Sequence, residues 1–389
     1  MKVIKEILSV SKREFVRMST HKIYFFSLII APLASFIFFA DLLKKGIPTD
    51  LPVAIVDEDN SSTSRSLAMS LDAFANSKIV LKTSDFSIAR KAMQEGQVYG
   101  ILRIPAGFKK DASSSQAPIL SFYTNDSYIL PGSLVYKDLR LQTALANGVV
   151  QRTMLVARGG TEPELSAQLN PIVVDTHPLN NPWLSYGIYL ANTLIPAVFA
   201  MFVMLLTVYG ISSEIKENTS SQLLAISNGS AGIALLGKLA AQFTVFFIMG
   251  SLYLLILYRI LNYPANSGIA PMLLAMGLLI VACQSFALFV AGLFDKHRIA
   301  LSITALWSVL SFSIIGFTFP LRSMPEPLQI AANIFPMRHY FMIYVDQALN
   351  GIPMYYSWLH YAALAMFIVL PITVYPLLKR QLQKGIYTT

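Results

Sequence analysis

The chain has 389 residues, of which 54% are hydrophobic and 13% charged, with a net charge of +9. So few charges exclude an ordinary water-soluble globule and leave a membrane protein. The basic excess does not mark a nucleic-acid binder, because outside residues 44–182 the lysines and arginines sit mostly in the N-terminal tail and at the ends of apolar runs, the distribution of inner-side anchoring.

In chain order, residues 1–22 read as a helix lying in the inner membrane interface. Val3, Ile4, Ile7, Leu8 and Phe15 share one helical face, and Lys5, Lys12 and Arg13 fall elsewhere. A spanning helix needs about 20 apolar residues. The run from Ile23 qualifies, giving a first span over 23–43, and five more follow within residues 183–378, at 183–211, 239–258, 272–294, 299–321 and 358–378. Six spans put both termini on one side. Six basic residues in the N-terminal tail, and Lys379, Arg380 and Lys384 in the tail 379–389, make that side cytoplasmic. The first run is long, starts only after some twenty residues and lacks a small-residue cleavage site, so it reads as an uncleaved span.

Residues 44–182 are different material, with 14 basic against 13 acidic residues and recurrent polar turns. Strands over 51–59, 78–85, 98–105 and 117–126 alternate with helices over 61–77 and 86–97, and a long helix over 134–155 follows. This predicts an α/β layer with one mixed sheet, placed on the outer side. The expected fold is therefore a six-span α-helical membrane protein with an inserted extracytoplasmic α/β domain.

Catalytic groupings are missing. GIALLGK at 232–238 fits the G-x-x-x-x-G-K pattern of a phosphate loop, but Leu239 stands where a magnesium-holding Ser or Thr is needed, and an apolar run follows. Asp57, Glu58 and Asp59 sit where a strand turns into a helix, and there they serve as capping groups rather than a metal site. His177, the only histidine of that region, cannot build a histidine-rich zinc centre. No metal, cofactor or catalytic residue is assigned. The single cysteine, Cys283, allows no intrachain disulfide.

Ion-driven transporters keep ionisable groups inside the bilayer, and the interiors of these spans contain no Asp or Glu. His360 lies among Tyr355, Tyr356, Trp358 and Tyr361, as in an interfacial aromatic belt. Asn192, Gln284 and Ser285 are polar span residues that either line a path or hold helices together. The cytoplasmic connection 211–235 carries Glu214 and Glu217 and a short amphipathic helix with Leu223, Leu224 and Ile226 grouped, stopped by Asn228-Gly229. A helix that short needs a partner to cover its apolar face, and a loop of this kind can transmit force from a soluble subunit.

Several stretches resemble the permease subunits of type-two ABC exporters, in the branch with a large extracytoplasmic domain between spans one and two. They are VAIVDEDNSSTSR, GILRIPAGF, NPWLSYGIYLANTLIPAVFAM with Asn181, Pro182 and Pro196, and FPMRHYFMIYVDQALNG. The last resembles an outer re-entrant segment, assigned to 322–355. The family's loop after span two reads E-x-E-x-G-T-x-x-x-L and ends in G-K. Glu214, Thr219, Leu223, Gly237 and Lys238 match it, whereas Lys216, Asn218 and Ser227 replace an acid, a glycine and a proline.

The resemblance implies an exporter permease of the bacterial inner membrane. ATP and magnesium would be held by separate ABC ATPase subunits docked on Glu214, Glu217, Thr219, Leu223 and Leu224. A second copy or a sister permease would complete a path past Asn192, Pro196, Gln284 and Ser285. A periplasmic adaptor is a further implied partner, membrane lipids surround the spans, and Lys238 would sit at the inner headgroups. The competing reading is a membrane-anchored receptor or assembly factor whose outer domain binds a ligand.

Overall fold

The computed structural model describes residues 2–44, 46–113, 118–157, 180–181 and 185–384. The chain divides into two compact units, Met1–Gly46 with Pro178–Thr389, and Ile47–His177. Of the sequence expectations, those resting on His177, Pro182 and Trp183 lie outside the described residues.

The first unit is helical. Helix α1 (Lys2–Thr20) leads into α2 (Lys22–Leu43), and after the second unit come α7 (Tyr186–Lys216), α8 (Ser220–Ile226), α9 (Ala231–Ile260), α10 (Ala270–Leu293) and α11 (His297–Ile314). Two shorter helices, α12 (Glu326–Ala332) and α13 (Pro336–Ile343), precede α14 (Met354–Lys384). Six of these, α2, α7, α9, α10, α11 and α14, are long and apolar enough to cross a membrane. Helices α7 and α10 are the most enclosed and form the centre, with α11 and α2 against α7 and α14 against α10.

Several boundaries differ from the sequence reading. Helix α7 continues through Lys216 and α9 begins at Ala231, so the connection between them is shorter than 211–235. Helix α11 stops at Ile314 instead of 321: Gly316 just past its end takes the left-handed φ of 89°, and Arg338 Nη1 donates to the Ile315 carbonyl at 2.7 Å, taking up an acceptor of the helix end. The stretch assigned to a re-entrant segment holds α12 and α13, the latter running on as a π-helical turn over Tyr344–Leu349.

Among the described residues, the second unit carries four strands, β1 (Leu51–Asp57), β2 (Ser77–Thr83), β3 (Gly100–Ile104) and β4 (Ser121–Thr124), in the order β2-β1-β3-β4. Strand β1 pairs in parallel with β2 and β3, and β4 is antiparallel to β3. Helices α3 (Ser62–Asp72), α4 (Phe86–Gln94), α5 (Phe108–Ser113) and α6 (Ile129–Ala157) accompany the sheet. LPVAIV, the strand up to Asp57, is an unbroken apolar run because β1 is covered on both faces. Val53 and Ile55 pack with Leu71, Leu102 and Leu139, while Ala54 and Val56 pack with Ala89, Ala92 and Val98. Asp57 accepts hydrogen bonds from the Asp59 and Asn60 amides and from Ser64 Oγ, and Ser61 caps α3 by accepting from the Ser64 amide. Glu58 pairs with Arg103 at 2.8 Å. The acids of this turn are thus tied to the local backbone and to each other's neighbours.

Candidate functional site

Helix α1 buries Val10, Ser11, Glu14, Arg17 and Met18 and leaves Val3, Ile4, Leu8 and Phe15 exposed. Its polar face is the one turned to protein, and its apolar face is open, as an interfacial helix requires. The helix packs on α9, and the two backbones meet at Gly237. A Cβ there would stand 2.5 Å from the Val10 Cβ and 3.0 Å from the Ile7 carbonyl oxygen, so only glycine fits without a shift. Ser11 Oγ donates to the Gly237 carbonyl at 2.8 Å.

This contact carries a buried ionic node. Glu214, in the last turn of α7, is fully buried and accepts from Arg13 Nη1 at 2.7 Å, from Lys238 Nζ at 2.8 Å and from Thr219 Oγ1 at 2.5 Å, and it also pairs with Arg17. Lys238, only 2% exposed, additionally pairs with Glu14, itself fully buried. Arg17 reaches Glu217 at 2.8 Å and Ser213 Oγ at 3.0 Å. Hydrogen bonding to Glu214 raises the pKa of the Arg13 guanidinium above its already high value.

Three cations and three carboxylates therefore close a neutral set on α1, α7, α9 and the connection after α7. Neutrality matters because an unpaired charge out of water costs several kcal/mol, whereas a paired and hydrogen-bonded set is tolerated. A hydrogen-bonded chain extends the node to α2. Gln242 donates to the Tyr24 hydroxyl, which donates to Glu14 Oε1 at 2.9 Å, and Thr207 Oγ1 donates to Gln242 Oε1 at 3.2 Å. Gly210 leaves room for it, since a Cβ there would lie 2.5 Å from Gln242 Nε2.

The expectation that Lys238 reaches the inner headgroups is thus corrected. An ammonium whose stem leaves an apolar helix beside two buried carboxylates is held by them instead of snorkelling to water. Acids are absent only from the span interiors, since α2 carries Asp41 and α7 carries Glu214, each within the last turn of its helix.

Of the other assigned residues, Thr219 joins the node and Glu217 sits at its rim, half-exposed. Leu223 is fully buried against Val10 and Ala234, and Leu224 packs toward α14 and α9 with Leu382, Ala231 and Leu235. The apolar face of α8 is therefore covered mostly by the chain itself, and Ser221, Gln222 and Ala225 remain outward. Asn218 adopts φ 57°, a left-handed conformation that glycine and asparagine accept most readily, which explains why asparagine can stand where the exporter motif has glycine. Asn218→Gly is expected to change stability by only a few tenths of a kcal/mol, while Asn218→Val should cost about 1–2 kcal/mol, read from thermal unfolding of the purified protein. Ser227 donates its amide to the Leu223 carbonyl at 3.2 Å, a bond a proline could not make.

Asn192, Pro196, Gln284 and Ser285 are all buried within the single chain. Asn192 donates to the Ile188 carbonyl at 3.2 Å and accepts from Tyr258 at 3.1 Å; Gln284 donates to the Leu239 carbonyl at 3.2 Å. Both side chains hold backbone and helices together here.

The node's other members, Arg13, Glu14, Arg17, Tyr24 and Gln242, were not singled out by sequence. The available signal was Glu14 and Arg17 one turn apart on a helix whose exposed stripe is apolar, and a lysine in an apolar helix that needs a counter-charge. Sequence also left the histidines unpaired. His339 Nδ1 lies 3.3 Å from His360 Nδ1, and His339 Nε2 lies 2.9 Å from the Asn333 carbonyl. A carbonyl only accepts, so His339 carries its proton on Nε2 and His360 donates from Nδ1.

Six apolar helices, of which α2, α7 and α9 share a buried polar node with α1, define a multi-pass membrane protein. Residues 22–374 match the model of the ABC-2 family transporter proteins, and the chain belongs to that family. It is a membrane component of an ABC transporter, of a kind that associates with an ABC ATPase subunit and is not itself the ATPase. A comparison with curated proteins finds no match.

Proposed function

We propose that the chain is an exporter permease of the bacterial inner membrane, in which the node around Glu214 receives the stroke of a separate ATPase. The observation that carries this reading is the bonding of Glu214 to Arg13, Lys238 and Thr219 at once. Movement of the connection 217–230 pulls on α1, α7 and α9 together, because the connection holds Glu214 through Thr219 and Arg17 through Glu217, and Glu214 in turn holds Arg13 of α1 and Lys238 of α9. The outward residues Ser221, Gln222 and Ala225 of α8 are the surface on which the ATPase, with its ATP and magnesium, rests. Both termini and α8 are cytoplasmic in this reading. Residues 47–177 lie between the first two spans and so belong to the outer side, where they meet cargo or a periplasmic adaptor. The path forms between two copies, or with a sister permease. Asn192 and Gln284, bonded within one chain, shape the helices that bound it, with Pro196 and Ser285 beside them.

Two measurements test this. The purified chain alone is expected to show no ATP turnover, and turnover should appear on adding its ABC ATPase; robust hydrolysis by the isolated chain refutes the division of labour. The second uses the buried Cys283. In a Ser221→Cys, Cys283→Ala variant, a membrane-impermeant thiol reagent should label inside-out vesicles and not intact cells, and the new thiol should cross-link to the ATPase. Labelling from the outside would overturn the topology.

A further inference from the structure

We propose that the second unit holds a binding site for a monoanionic amphiphile, a single carboxylate or phosphodiester head on an apolar body, in the cleft beside Arg65 and Lys82. The cleft measures about 580 Å³ and lies outside the carboxyl ends of β1 and β2, between α3 and the turn after β2. That volume is in the usual range for small-molecule pockets. Both strand-to-helix turns, after Asp57 and after Thr83, open to it.

The lining selects the ligand. Arg65 and Lys82 enter from α3 and β2, and neither has a carboxylate within 4.0 Å among the described residues. Arg65 spends one N–H on the Asn60 carbonyl at 2.9 Å, which fixes the guanidinium and leaves its other donors open. Thr83 Oγ1 accepts from the Asp85 amide, so its hydroxyl hydrogen is free to donate. The one acid in the lining, Asp57, has its oxygens taken by the Asp59 and Asn60 amides and by Ser64 Oγ. Two cations against one such carboxylate leave a single positive charge, which matches one negative head. Ile55, Ala68 and Met69 supply an apolar wall, and Met69 is 67% exposed although it is large and apolar. Such a side chain beside two uncommitted cations fits a ligand with both characters.

This inference does not depend on the transport reading, because it concerns binding by the second unit whether or not the chain exports. The test uses the full chain in phosphatidylcholine nanodiscs, photolabelled with dodecanoate carrying a diazirine near its methyl end, and the labelled residues are mapped by mass spectrometry. Label is expected on the peptide containing Ala68 and Met69. Free hexanoate and phosphatidylglycerol vesicles, added separately, distinguish a soluble amphiphile from a membrane lipid, and protection by either supports the site. Arg65→Gln with Lys82→Gln should reduce labelling about tenfold or more, the loss expected for charged hydrogen bonds, while Lys82→Arg retains it. Equal labelling of the double variant, equal labelling by a dodecyl ammonium analogue, or no label at Ala68–Met69 would overturn the proposal.

Discussion

Replacing Lys238 with methionine is expected to destabilise the protein by about 3–5 kcal/mol, because removing one partner of a buried ion pair strands the other. The stranded group is Glu14, which is fully buried and would keep only the Tyr24 hydroxyl at 2.9 Å. Glu214 loses less, since Arg13 and Arg17 remain on it. Adding Glu14→Gln to Lys238→Met removes the stranded charge while keeping its shape, and most of the lost stability should return. The check is denaturant unfolding of both variants and the parent in nanodiscs. A double variant no more stable than Lys238→Met would show that Lys238 acts through packing alone.

Leu223→Ala is expected to act locally. Leu223 is fully buried against Val10 and Ala234, and truncating a buried leucine costs about 2–3 kcal/mol where the site can partly collapse. Helix α8 has seven residues, too few to persist without that anchor. The cost should therefore appear as opening of α8 rather than of the whole protein, with amide exchange over 220–226 faster by about 30- to 150-fold, the same free energy expressed as a ratio. In the proposed transporter, ATP turnover by the partner would continue while transport falls. Unchanged exchange over these residues would show that Val10 and Ala234 do not hold α8, and unchanged transport would remove the helix from the coupling route.

The value of Leu223 illustrates where sequence and structure part. Amphipathic grouping of Leu223, Leu224 and Ile226 signalled a helix that needs cover, but periodicity names a face without naming what lies against it. The structure supplies α1 and α14 as cover for Leu223 and Leu224 and leaves Ser221, Gln222, Ala225 and Ile226 open to another subunit. The same limit explains Lys238. A lysine near the end of an apolar helix reads as a headgroup anchor until a helix more than two hundred residues away in sequence brings Glu14 to within ion-pair reach.

Membrane residence, six apolar helices and an α/β unit with a mixed sheet could be read from sequence alone, because each rests on local pattern. An apolar run of spanning length, period-two alternation bounded by turns, and caps such as Ser61 are properties of consecutive residues. The ionic node, the glycine contact at Val10 and the His339–His360 pair were decided only by tertiary structure. Their energies come from charges and backbones meeting across separations that no local periodicity encodes, and a buried charge reveals its role only once its counter-charge is beside it.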